Sequence, residues 1–292
     1  MLLARLLRQA RRFALVLLVG GLLGATLVRL GPGFGVDERE LDTRLSPETR
    51  QAIRAEHAGQ NNIAIFYVRY LAGLAHGDFG FSRSLNRPIA QLLRERLPVS
   101  LRSLAYGVLG GTALGLGLAL FTVGWRMPGA ELAPAVLSGL CLAIPSAVIA
   151  LVFLWIGAAG RWAIALIVFP HVYRYSKNVL SAMRQAPHVP AAEARGLSPA
   201  RVFWAHVFTP AAPQLAAVVG IAVSLAFGAS IPIEVICDTP GIGQLAWRAA
   251  LDRDLPLLII LTMLVALLTL AANSLADLAL SGWGVARDSA SA

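Results

Sequence analysis

Four stretches of this chain contain no Asp, Glu, Lys or Arg at all: Ser103–Trp125, Leu132–Gly160, Val202–Ile233 and Leu255–Ala276. A water-soluble helix keeps a polar face, so runs of this kind have no place on a soluble surface. A bilayer core about 30 Å thick is crossed by about 20 apolar residues in a helix, and each stretch is long enough to do it. Leu132–Gly160 is longer than one crossing needs. Composition agrees: 57% of the 292 residues are hydrophobic and 14% charged, where soluble domains carry about 25% charged residues.

A fifth apolar run, Phe13–Val28, follows Arg5, Arg8, Arg11 and Arg12. A signal peptide shares those features. Arg29 and the sequence Gly-Pro-Gly-Phe-Gly stand where an Ala-x-Ala cleavage site would be, so an uncleaved first span is expected. A sixth run is short, because Trp162–Tyr173 ends at Arg174. Either it continues through Ser176–Met183, with Arg174 and Lys177 facing protein or snorkelling, or it is a re-entrant or interfacial helix. The fold class expected is an all-α polytopic membrane protein with about six transmembrane helices.

Residues 31–100 differ, with Asp37, Glu38, Arg39, Glu40, Asp42, Arg44, Glu48 and Arg50 among them. They read as a water-facing helical insert between the first and second spans. Ser46 and Pro47 suit the N-cap and first position of a helix there. The chain then divides into an N-terminus with the first span (1–30), the insert (31–100), a membrane domain (101–282) containing a loop at 184–201, and a tail (283–292).

The net charge of +9 comes without any Lys/Arg run interleaved with aromatics, so the expected partner of these cations is membrane lipid and not nucleic acid. Arg in short loops marks the cytoplasmic side. Arg126, Arg184, Arg195, Arg201 and the N-terminal cluster share one side if there are six spans. Both termini are then cytoplasmic and the insert is periplasmic. Arg161, Arg248 and Arg253 run against that count. Trp125, Trp155, Trp162 and Tyr173 fit an interfacial aromatic belt.

Small residues recur at helical spacing. Gly20 and Gly24 are four apart, and Gly107, Gly111 and Gly115 form a double GxxxG, a stripe that lets another helix backbone come close. Cys141 lies inside an apolar run and is not expected to meet Cys237. No metal-ligand spacing is present. No HExxH, GxSxG or GxxxxGK[ST] motif is present either, so no catalytic residue is assigned and no phosphate loop binds ATP in this chain. His171 and His206 read as interfacial or packing residues.

Two loops are more informative. Between the fourth and fifth runs, Pro190 suits a first helical position. Ala191, Ala192, Glu193, Ala194 and Arg195 are mostly strong helix formers, and Gly196 can end the helix in a left-handed conformation. Ser198 and Pro199 suit the start of the next helix. A short surface helix thus sits between two longer ones. It is either a lever for a cytosolic partner or an ordinary helical hairpin loop. The outer loop Glu234–Leu245, with Pro240, Gly241, Ile242 and Gly243, either caps the external mouth of a pathway or packs a small amphipathic helix on the outer face. Glu234 and Asp238 are expected in water, without a role.

The 174–206 segment resembles the coupling loop of ABC-importer permeases of the dipeptide/oligopeptide/nickel family. Arg174, Lys177, Ala192, Ala194, Arg195, Gly196, Leu197, Ser198, Arg201, Val202 and His206 fall in register with it. Pro190 holds the place of that family's Glu. Three other blocks resemble the same family: Arg29-Leu30 with Pro32-Gly33; Gly77–Ser82 with Arg87-Pro88-Ile89 and Glu95–Pro98; and Pro240–Leu245 with Asp252-Arg253-Asp254, Pro256, Asn273 and Asp277. The connection Gly157–Trp162 is shorter than is usual there.

The resemblance implies a permease subunit of the bacterial inner membrane, itself no enzyme, transporting peptide or, as the other member of that branch, a nickel chelate. It implies a second permease subunit, two cytosolic ATPase subunits that bind ATP and Mg, and a periplasmic or lipid-anchored binding protein. Pro190–Ser198 would be the coupling element and Pro240–Gly243 part of an external gate. The competing readings are an ion-coupled secondary transporter, disfavoured by spans that lack ionisable residues, and a membrane assembly subunit that transports nothing.

Overall fold

The computed structural model describes residues 77–124 and 131–290, with single positions at 11, 19, 26, 73 and 129; side chains are described as far as residue 274. The first span at 13–28, the Gly20/Gly24 stripe, the helix start at Ser46, most of the 31–100 insert, Trp125 and Asp277 lie outside the described backbone or side chains.

Nearly all of the described chain is helical. After a minimal hairpin, β1 (Phe81–Ser82) paired antiparallel with β2 (Arg87–Pro88), come α1 (Ile89–Gly124), α2 (Leu132–Ala143), α3 (Ser146–Trp155), α4 (Gly160–Arg184) and α5 (His188–Ala194). Then follow α6 (Pro199–Ile236), α7 (Ile242–Leu251) and α8 (Leu255–Ala290). By length and composition α1, α6 and Leu255–Ser274 of α8 can each cross a membrane. The protein is an all-α membrane protein, as its sequence pattern predicts.

Two compact units divide these elements. One holds the described residues up to Arg96 together with Leu245–Leu267. Asp254 organises it: the carboxylate is 2% exposed, and its Oδ2 accepts from Ser82 Oγ (2.6 Å), Ser84 Oγ (2.9 Å) and Ser84 N (3.1 Å). Oδ1 accepts from Leu257 N in the first turn of α8, so the same side chain caps the helix and fastens the hairpin 170 residues away. The Gly77–Ser82 and Asp252–Asp254 blocks thereby meet in space.

The other unit comprises Leu97–Gln244 and the chain from Leu268. In it α4 packs along α6, α2 packs on α4, and α3 packs on α6. The glycine stripe of α1 lies on α4. A Cβ at Gly111 would stand 2.7 Å from the Ala165 carbonyl oxygen, and one at Gly115 would stand 2.8 Å from that of Phe169. At Gly107 a Cβ would overlap the Ile164 side chain. Two backbones can approach this closely only where side chains are missing.

The 132–160 run is not one continuous helix. It is α2 and α3, bent by 100° at Ile144–Pro145. Ile144 is extended (φ −89°, ψ 124°), as a residue before proline prefers, and Pro145 has no N–H to continue the ladder. The short fourth run does continue past Arg174 and Lys177, the first of its two readings, as one helix of 25 residues. Its cations meet α2 and its N-cap residue: Lys177 Nζ is 2.5 Å from Glu131 Oε2, and Arg174 Nε is 3.4 Å from Ser138 Oγ. Tyr173 does not join the aromatic belt; it is 1% exposed and stacked on Phe169. Trp155 is 87% exposed and Trp162 48%. Both cysteines are free.

Candidate functional site

α5 runs from His188 to Ala194, with Pro187 at its N-cap, so it starts two residues before the predicted Pro190. Pro190 falls at the third helical position, where its missing N–H still costs no internal bond. The helix divides cleanly by face. Val189 and Ala192 are 2% and 3% exposed and belong to a core with Ala119, Val123, Phe169, Tyr173, Leu180, Val202 and Leu215. That core draws on α1, α4 and α6. Pro190, Ala191, Glu193, Ala194, Arg195 and Gly196 are exposed. Leu197 packs on the core edge, and Ser198 is the N-cap residue of α6, extended at ψ 146°, although its hydroxyl makes no capping bond.

Further bonds fix α5 and its neighbours. His188 Nε2 donates to the His206 carbonyl (2.7 Å). That carbonyl lies in a stretch of α6, Val202–Phe208, wound as a π-helix; such turns leave carbonyls displaced from the regular ladder. The Arg184 guanidinium, at the end of α4, donates to the Val123 carbonyl in the last turn of α1, where a cation is favoured. The ends of α1, α4 and α6 are thus joined around α5.

Gly196 has φ +76°, and no atom lies within 4 Å of where its Cβ would be. Its cost to any other residue is therefore backbone strain alone, about 1–2 kcal/mol. Gly196→Ala is expected to lower the thermal midpoint of the purified protein by a few degrees with helicity unchanged, as checked by circular dichroism.

The second cluster sits at the far end of α6. Glu234, expected in water, is 1% exposed. Its Oε1 accepts from Ser100 Oγ of α1 (2.6 Å). Its Oε2 accepts from the backbone N–H of Gly243 (2.7 Å) and Gln244 (3.4 Å) in the first turn of α7. Ser100 Oγ in turn accepts from Ile242 N (2.7 Å). These amides are the ones a helix start leaves without partners, and the carboxylate meets the positive end of the helix. Gly241 and Gly243 are buried against it: a Cβ at Gly241 would collide with Glu234 Oε2 and Ser100 Oγ, and one at Gly243 would lie 2.8 Å from Ile231 Cα. Pro240 is exposed beside them. Asp238 remains exposed and accepts from Gln244 Nε2 (2.6 Å).

Sequence reasoning named Pro240, Gly241, Ile242 and Gly243 in this loop and missed Glu234 and Ser100. The available signal was weak: two acids, Glu234 and Asp238, precede the Pro-Gly-x-Gly helix start, and nothing local tells the buried one from the exposed one. Among the described residues no group of His, Cys, Asp and Glu is placed to hold a metal ion.

Comparison with known proteins fits this architecture. Residues 111–281 match the family described as binding-protein-dependent transport system inner membrane component. A putative peptide transport system permease protein of Brucella melitensis is 28% identical over 308 residues, covering 95% of this chain and 96% of that protein. The oligopeptide transport system permease protein OppB of Salmonella typhimurium is 29% identical over 262 residues, covering 82% and 84%. In three dimensions a chain of the MetNI methionine ABC transporter, solved in inward-facing conformations, superimposes with a TM-score of 0.59 at 16% identity, over 67% of this chain and 98% of that one. The chain belongs to the binding-protein-dependent transport system inner membrane component family and is a permease subunit of an ABC importer.

Proposed function

We propose that this permease moves peptides into the cell, and that α5 is the element through which ATPase subunits drive it. The observation that carries the coupling reading is the two-faced build of α5. Its inner face is sunk in the core shared by α1, α4 and α6, so a push on it moves three helices. Its outer face presents Pro190, Ala191, Ala194 and Gly196, small or compact residues flanked by Glu193 and Arg195, a low-relief surface suited to a groove.

A second permease subunit, two cytosolic ATPases carrying ATP and Mg, and an external binding protein complete the machine. α5 and both termini face the cytoplasm, and the 31–100 insert and the 240–244 loop face out. The peptide assignment is supported by the peptide and oligopeptide permeases that align along most of the chain. The Pro240–Gly243 loop, locked by Glu234, closes the outer mouth.

The test is reconstitution of the whole complex in proteoliposomes with labelled oligopeptides. We expect uptake that needs both ATP and binding protein and is competed by unlabelled peptide. Uptake that persists without the ATPases would contradict the coupling reading, and ATP-driven uptake of a non-peptide solute alone would contradict the substrate.

A further inference from the structure

The coupling scheme delivers motion to one end of α6 and says nothing of how it reaches the other. We propose that Glu234 is a positioning residue for transport: it clamps the outer loop 241–244 to α6 and α1, so that movement of α6 carries the outer mouth with it. The inference rests on the orientation and role assigned above.

α6 runs from Pro199 to Ile236 as 38 helical residues, about 57 Å at 1.5 Å per residue. It begins three residues after Gly196, so displacement of α5 enters at this end. Glu234 sits in its final turn. The carboxylate and the Ser100 hydroxyl together satisfy the amides of three successive residues, Ile242, Gly243 and Gln244. The two carboxylate oxygens face different partners: Oε1 accepts from the Ser100 hydroxyl of α1, and Oε2 accepts from the two loop amides. The loop thus cannot shift from α6 without uncovering several buried donors at once, a cost that makes the cluster move as a block. The absence of side chains at Gly241 and Gly243 brings the backbone to within bonding range.

Packing alone would not select this arrangement. A buried acid is expensive to place, and an apolar side chain in its position would stabilise a merely structural joint more cheaply. What a carboxylate adds is directional hold on main-chain amides.

The clamp is tested by measuring solute moved per ATP hydrolysed in the reconstituted complex. Ser100→Ala keeps the acid and removes the tie to α1; Glu234→Gln keeps one acceptor and turns an amide towards a donor. Both are small changes, and the ratio is expected to fall about threefold in each. Glu234→Ala is expected to lower it about tenfold, with binding-protein-stimulated hydrolysis within twofold of the parent. A purely structural role predicts that hydrolysis and uptake fall together at a constant ratio, and that result would overturn the clamp, as would an unchanged ratio in both mild variants. If Glu234→Ala fails to assemble, those two variants decide. A parent complex that moves no peptide at all would instead refute the function proposed above.

Discussion

Ala191→Arg is expected to reduce ATP-driven uptake to less than about a tenth of the parent level while leaving the protein folded, whereas Ala192→Arg is expected to unfold the end of the bundle. The two residues are neighbours in sequence and opposites in space. Ala191 is exposed on the outer face of α5, and alanine and arginine both suit a helix, so the substitution costs the isolated subunit almost nothing. Against a partner groove it adds a long charged side chain at the centre of the contact, and a buried unpaired charge costs several kcal/mol. Ala192 is 3% exposed among Val189, Val202, Leu180 and Tyr173. Arginine there has no room among those packed side chains. Uptake assays separate neither case alone; thermal midpoint and uptake together do. Equal behaviour of the two variants would refute the two-faced reading of α5.

Gly115→Leu is expected to destabilise the subunit by about 3 kcal/mol or more, at the upper end of the cost of overpacking. A Cβ there meets the Phe169 carbonyl oxygen at 2.8 Å, Tyr173 N at 2.9 Å and Val172 Cβ at 2.9 Å. Two of the three are backbone atoms and cannot rotate away, so α1 and α4 must separate. Gly117, two residues on, has nothing within 4 Å of its Cβ position. Gly117→Leu should therefore be neutral or slightly stabilising, because leucine is a better helix former by up to about 1 kcal/mol. Thermal unfolding in detergent compares the pair directly; similar midpoints would mean the helices do not pack on this stripe.

These contrasts show which parts of the molecule are legible in its sequence. A period-four glycine stripe lets another helix backbone come close, so Gly107, Gly111 and Gly115 support a close contact before any partner is known. The spans are visible because charge is absent from them, and Gly196 because a short helix ahead of Ser-Pro needs a left-handed stop. What stays hidden depends on partners distant in the chain. Arg174 and Lys177 leave the sequence with two readings, a continued helix or a re-entrant one, and Ser138 of α2 and Glu131 at its N-cap are the partners that decide for the first. Glu234 looks like an interfacial acid because Ser100, its first partner, lies 134 residues away. Asp254 and the Ser82/Ser84 hairpin are separated further still. The break at Pro145 is a different case: hydropathy sums over the run and registers no bend, although proline after a β-branched residue carries the local reason for one.

Pro187 shows a smaller shift of the same origin. The sequence has two prolines within reach of the α5 start, and Pro190 tolerates the third helical position because the first-turn amides have no internal acceptor in any case. The helix therefore begins earlier, and Val189 gains its place in the core.

The central claim is that α5 is gripped by an ATP-hydrolysing subunit on the cytoplasmic side. Its most direct test is a photo-crosslinking side chain placed at Ala194, on the exposed face of α5, in the intact complex in cells. The account predicts one adduct, with a cytosolic ATPase subunit, whose yield changes when ATP is trapped. An adduct with the external binding protein, or reaction with a membrane-impermeant reagent added outside the cell, would contradict it.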